Sequence, residues 1–338
     1  MAKKIGLMVG REWSFPPAFV EAINASGADV QAEYVRLGTP AASVPPRYDV
    51  ILDRISHDVP FYRSYLRHAA VHGTRVINNP FLLDVADRYF AATLASGVGV
   101  KAPAMALLPH RDYAPEIVHE ESLRNLDYPL DWEAAVEAVG RPFLVRDVMA
   151  GAGEAELCTS VEELLRVYDR SGRRLMMIQQ HVEWEHYVRC LVIGEEVLTL
   201  QFDPVERKYQ VNHEHLSAEL GERLVDDSLV ISRAAGIDLN AVDWAISGGT
   251  PYAVELLNPM PELDVYALSA HYFERVVEMV ARLAIDCAEG GAPTRATHWE
   301  SAGRPVEAPA RTTRVDDGAG DLAEELGSLS RGLPKSEI

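Results

Sequence analysis

The stretch that decides the fold is Asp243–Asp264, DWAISGGTPYAVELLNPMPELD. It reads as an apolar strand carrying Asp243, a tight Gly-Gly-Thr-Pro turn, and a second apolar strand carrying Glu255, followed by Asn258-Pro259. Side chains on one face of a hairpin meet across the pair. Asp243, Glu255 and Asn258 can therefore converge as three oxygen donors at one end of a two-stranded ribbon. Carboxylates with an amide oxygen suit a hard cation such as Mg²⁺ (or Mn²⁺), which shares its shell with water and substrate phosphates. Acidic side chains within apolar strands are otherwise costly to bury. The pattern points toward ATP chemistry. The plainer alternative puts Asp243 on a solvated face and pairs Glu255 with an arginine.

Bulk composition sets the frame. A chain of 338 residues is long enough for two or three packed units. Hydrophobic residues at 48% and charged residues at 25% are ordinary for a globular protein. With 51 acidic against 32 basic residues the formal charge is −19, which argues against nucleic acid as the main partner. A few local cations still suffice for one triphosphate. The start, MAKKIGLMVGREW, has too short an apolar run for a signal peptide, and no run approaches a membrane span. Cys158, Cys190 and Cys287 are far apart with no CxxC pair, so a reducing, cytoplasmic setting is expected.

The rhythm along the first 80 residues is β–α–β–β–α–β: KIGLMVG, a helix opened by Pro16-Pro17, Val30–Tyr34, YDVILD, a helix over Phe61–Val71, and Arg75–Ile77. This predicts a small, largely parallel α/β layer. Residues 81–180 and 181–290 each read as a mixed α+β unit, and residues 291–338, poor in large apolar side chains, as a flexible tail. The final helix, His271–Cys287, fits either the core or the seam of a homodimer.

Further constellations stand between the first layer and the hairpin. Gly151 and Gly153, in the loop after the strand PFLVRDV, let backbone N–H groups approach an anion, or simply make a turn. Arg146 on that strand needs an anionic partner, either a phosphate or a neighbouring Asp147 or Glu154. Arg88, beside Asp87, reads alone as a surface ion pair. Backbone in the Gln179–Glu185 crossover can read an adenine edge while a carboxylate takes ribose hydroxyls; Arg189 on the next strand can meet a phosphate or a substrate carboxylate. Ordinary solvated connections remain the alternative here. His213-Glu214-His215 lacks the spacing that puts two metal ligands on one helical face.

Taken in order, these parts resemble the ATP-grasp superfamily over residues 1–287. INNP at 77–80 with Asp87-Arg88, VKAPAMALL at 100–108, PFLVR with AGAG, IQQHVEWEHYVRCLVIG, and VDWAI…YAVELLNPMPELD are the matching segments. The resemblance implies a Rossmann-like preceding domain and two α+β subdomains clasping ATP. It implies an ATP-dependent ligase that joins the carboxylate of an amino acid or short peptide to an amine through an acylphosphate. Asp243, Glu255 and Asn258 would hold Mg²⁺; Arg88, Arg146, Gly151 and Gly153 the phosphates; Gln180, Val182 and Glu185 the nucleoside. Arg189 and Arg146 would act on the acylphosphate or substrate carboxylate. Two departures stand out. The family usually has lysines where Arg88 and Arg146 stand, and often one residue, not two, between the glutamate and the asparagine. They leave room for an alternative: a catalytically weakened ATP-binding module with a regulatory role. Arg11, Glu12, Ser14, Arg54 and His57 follow strands of the first layer, where α/β sheets bind ligands, and an Arg–Glu pair there suits an amino-acid zwitterion, with a local salt bridge as the plainer alternative for each residue alone.

Overall fold

Apolar runs too short for helices build the first layer. In Lys3–Met8 (β1) every residue from Ile5 onward is buried, as expected of a strand covered on both faces. It pairs in parallel with Val30–Tyr34 (β2) and Val50–Asp53 (β3), and β3 with Arg75–Ile77 (β4), giving the order β2-β1-β3-β4. Phe15–Ala25 (α1) and Pro60–Val71 (α2) make the crossovers, each with proline in its first turn, where a missing N–H costs nothing. The computed structural model describes residues 2–82, 87–117, 122–149, 155–212 and 216–291.

Two antiparallel sheets follow. Met105–Leu107 (β5), Phe143–Asp147 (β6), Glu156–Cys158 (β7) and Met176–Gln180 (β8) form one, in the order β5-β8-β6-β7. Trp132–Val139 (α4) and Val161–Asp169 (α5) cover it, and Ser160 caps α5 by accepting the Glu163 N–H. The second sheet contains His186–Ile193 (β9), Glu196–Asp203 (β10), Lys208–Gln210 (β11), Leu239–Ser247 (β12) and Thr250–Asn258 (β13), ordered β11-β10-β9-β12-β13. Arg88–Gly97 (α3) and Ala218–Ala235 (α6) share the core on one face of it, around the fully buried Trp244. With these sheets, the chain has the predicted mixed α/β and α+β architecture.

Val265–Glu289 (α7) packs as one of the two alternatives for the last helix expects, in the core. Its apolar side chains Leu268, Val276, Val280 and Ala284 lie in one cluster with Ile5, Leu7 and Leu52 of the first sheet and Leu191, Leu198 and Leu200 of the five-stranded sheet. The helix is core, filling the space between the two sheets.

The start of α7 is also pinned to the start of α1. The Asp264 carboxylate accepts the N–H groups of Trp13, Ser14 and Phe15 at 3.0–3.2 Å and the Ser14 hydroxyl at 2.8 Å. Ser14 Oγ in turn accepts the Val265 N–H at 2.9 Å, so each helix caps the other. Burial acts to raise the Asp264 pKa, but the Phe15 and Trp13 N–H groups and the Ser14 hydroxyl outweigh it and hold the acid below its ordinary value. A carboxyl with a depressed folded-state pKa stabilises the fold above its unfolded value, about 3.9, and that contribution is lost as pH falls through the folded-state value. Asp264→Ala should therefore cost about 2 kcal/mol at neutral pH, with the deficit narrowing in urea denaturation curves taken in acid.

Candidate functional site

The site is built on a flaw in the β12–β13 ladder. The turn is Gly248-Gly249, with φ of 53° and 72°, a conformation that glycine adopts without strain. From it, regular pairing runs to Trp244 opposite Ala253. Asp243 then pairs with Glu255 and Ala241 with Asn258, so β13 takes in one extra residue at each of these two steps. Ala241 and Asp243 point to one face because side chains alternate along a strand. The shifts put Glu255 and Asn258 on that face too. Leu256 and Leu257, although consecutive, both pack into the cluster on the opposite face.

Buried carboxylates need cations, and three elements supply them. Arg189 on β9 stands directly opposite Asp243 and grips it with both ends of its fork, at 2.5 and 2.7 Å. The Tyr187 hydroxyl donates to the same carboxylate at 3.2 Å. The Arg189 guanidinium lies 3.6 Å from the centre of the Phe202 ring, with Tyr209 beyond. Burial alone would lower its pKa, but Asp243 outweighs that and holds it above the ordinary value. Burial, with the nearby Asp243 and Glu255 charges, drives the Tyr187 phenol well up, and burial pushes Tyr209 up to about 12. Both phenols are therefore protonated at neutral pH.

Glu255 gathers two more arginines. Arg146 of β6 donates at 2.6 Å, and Arg88, in the first turn of α3, at 3.0 and 3.1 Å. Arg146 also donates to Gln179 at 3.2 Å, and among the described residues its buried Nε has no hydrogen-bond partner. The local-partner alternatives, Asp147 for Arg146 and Asp87 for Arg88, are not what the side chains choose. Asp87 instead caps α3 through the Phe90 N–H. Asn258 is on the row, but its side-chain oxygen accepts the Met260 N–H at 3.2 Å.

The remaining sequence-predicted residues fall around this row. Gln180, Val182 and Glu185 follow the path from β8 to β9; Gln180 brackets Ala104, donating from its backbone at 2.8 Å and accepting through its side chain at 3.3 Å. The Glu185 carboxylate accepts the Gly248 N–H at 3.0 and 3.1 Å, which fixes the connection against the hairpin turn. Gly151 and Gly153, like His213-Glu214-His215, lie outside the described residues.

In the first layer, Arg54 pairs with Glu12 at 2.6 and 2.9 Å and also donates to the Pro261 carbonyl, while Glu12 accepts the Leu263 N–H at 3.1 Å. Gly10 has no room for a side chain, since a Cβ there would lie 2.0 Å from the Arg54 carbonyl. Ser14 is engaged by Asp264 and Val265. Arg54, Glu12 and Ser14 thus hold the segment that leaves Asn258, whereas the exposed Arg11 pairs with Asp58 at 2.7 Å and His57 lies 3.7 Å from the same acid.

Asn78, Tyr187, Tyr209 and Asn240 carry no role in the sequence reading, although Asn78 and Tyr187 stand within segments quoted for the resemblance. Asn78 is buried and fully used: it accepts the N–H groups of Asp238 and Leu239 and donates to the carbonyls of Leu239 and Pro259. Tyr187 carries one legible signal, its two-residue offset from Arg189 on a strand.

The donor set suits Mg²⁺. Among the described residues no cluster of three or more His, Cys, Asp or Glu side chains forms a self-sufficient metal cage. Two carboxylates and Asn258, next to three arginines, match instead a cation that shares its shell with substrate phosphates. The unpartnered Arg146 Nε is a donor left over for an anion.

No protein-family model matches the chain, and no curated protein does. Solved structures do. A RimK domain ATP-grasp protein from Sphaerobacter thermophilus matches with a TM-score of 0.59 at 19% identity, over 83% of this chain and 98% of that one. The D-alanine–D-alanine ligase of Bacillus anthracis, complexed with ATP, matches with 0.58 at 14% identity, over 86% and 99%. The ATP-grasp ligase PsnB, complexed with a precursor variant, Mg and ADP, matches with 0.57 at 14% identity, over 85% and 99%. The chain has the ATP-grasp fold. Among the described residues no helix is long and apolar enough to cross a membrane.

Removing one member of a buried ion pair strands the other. Asp243→Asn should lower stability by about 3–5 kcal/mol in urea denaturation, because Arg189 loses its counter-charge, and Arg189→Met in the same chain should recover part of the loss.

Proposed function

We propose that this ATP-grasp chain is an ATP-dependent carboxylate–amine ligase acting on an amino acid or short peptide. The observation that supports the reading best is the row Arg189–Asp243–Glu255, joined by Arg88 and Arg146 on the bulged hairpin. Three cations and two carboxylates are balanced against one another there. A metal–triphosphate brings the complement: positive charge for the carboxylates and negative charge for the guanidiniums. Asp243, Glu255 and Asn258 would hold Mg²⁺, which supplies neutralisation of phosphate-oxygen charge. Arg88 and Arg146 would turn from Glu255 to phosphate oxygens, and Gln180, Val182 and Glu185 would line the nucleoside.

The substrate carboxylate attacks the γ-phosphorus of ATP and ADP leaves; an amine then attacks the acyl carbon and phosphate leaves. Arg189, stacked on Phe202 and fixed by Asp243, would hold the oxyanion that builds up on the acyl carbon. Catalysis of this kind rests on positioning and preorganised charge. ATP in the Bacillus anthracis ligase, and Mg, ADP and a precursor peptide in structures of PsnB, support the same cofactors and a peptide-sized substrate here. Free thiols and ATP consumption suit a cytoplasmic reaction.

ADP release should require both an acid and an amine acceptor from a panel of amino acids and short peptides. Glu255→Gln should reduce it by about a hundredfold or more, the scale seen when a preorganised charge contact is removed. ATP binding with no acceptor-dependent ADP release across the panel would instead support a nucleotide-binding module, the reading that arginines in place of lysines suggest.

A further inference from the structure

Asn240 precedes the row and points away from it, yet it is bound to the backbone between Glu255 and Asn258. The side chain is fully buried between β12 and α6. Its Oδ1 accepts the Asn258 N–H at 2.8 Å. Its Nδ2 donates to the Leu256 carbonyl at 3.0 Å and to Ser232 Oγ on α6 at 3.1 Å. An extra residue in a strand leaves ladder groups without partners, and buried groups without partners are costly. The Asn240 amide supplies the missing donor and acceptor at the place where β13 takes in its extra residue before Asn258.

We infer that Asn240 is a positioning residue for the divalent cation, the element that makes a glutamate and an asparagine with two residues between them act as a single ligand pair. This deepens, and rests on, the ligase reading. Without the Asn240 bridge, β13 has no reason to keep the irregular pairing. In a regular ladder, residues three apart face opposite sides, so either Glu255 or Asn258 would turn from the row. The side chain touches neither ligand oxygen; it acts only through the backbone of Leu256 and Asn258.

The test is Mn²⁺ uptake by the full chain in the presence of a non-hydrolysable ATP analogue, followed by the electron-paramagnetic signal of free Mn²⁺. Nucleotide binding without metal is measured alongside. Asn240→Leu should weaken Mn²⁺ binding by about 10–100-fold, the range for losing a residue that orients metal ligands, and leave metal-free nucleotide binding unchanged. Deleting Leu257 in an Asn240→Ala chain shortens the spacing to one residue and should restore most of the Mn²⁺ affinity that Asn240→Ala loses. If Asn240→Leu does not fold, Asn240→Asp serves, since it keeps the acceptor for Asn258 and lacks the donor for Leu256. Unchanged Mn²⁺ binding in these chains, or a parallel loss of metal-free nucleotide binding, overturns the inference. Absence of nucleotide-dependent Mn²⁺ uptake by the unaltered chain overturns the ligase reading itself, and the inference with it.

Discussion

Everything at the centre of this molecule follows from the pairing of Asp243 with Glu255 across an irregular ladder. Two acids side by side on a largely buried face repel one another and lose hydration. They persist because guanidiniums reach them from β9, from β6 and from the first turn of α3. Glu255 is thereby the meeting point of the two antiparallel sheets: Arg146 arrives from one, Glu255 belongs to the other. Three charged groups already poised around two acids need little reorganisation when their partners are exchanged, which is the condition for electrostatic catalysis.

Much of this was legible in the chain. The alternation of short apolar runs with helical patterns gave the first layer in order, and the Gly-Gly turn between two apolar strands gave the hairpin. The sequence puts Asp243, Glu255 and Asn258 on one hairpin as oxygen donors, with an extra residue that a bulge can absorb, and the irregular register sets the three on one face. What the sequence could not show is partner choice. Arg88 beside Asp87, and Arg146 beside Asp147, look satisfied locally, yet both reach a glutamate more than a hundred residues away. Periodicity reports which face a side chain takes, not which distant strand that face will meet.

The same limit hid Asn78, Asn240 and Asp264. Each is a polar residue whose bonds go to backbone groups made available by irregularities elsewhere: the ends of β12 and β13, a bulge, and the start of α1. No periodic pattern marks such positions. Arg54 and Glu12 teach the complementary lesson. Their place at the carboxyl ends of strands drew attention as a ligand site, and the structure shows them bound to Pro261 and Leu263, just beyond Asn258.

The helix α7 divides the molecule into a stiff part and a compliant one. Its apolar side chains are common to the first sheet and the five-stranded sheet, so separating those two would open a hydrophobic core to water. The four-stranded sheet keeps a core of its own, drawn from residues 108–178 alone. It is tied to the five-stranded sheet by the ion pairs at Glu255 and by two connections, 98–104 and 181–185, the first of them bonded to β13 through Lys101 and Ala253. At Glu255 the joint between these bodies is therefore made of charge, where the joint along α7 is made of apolar side chains.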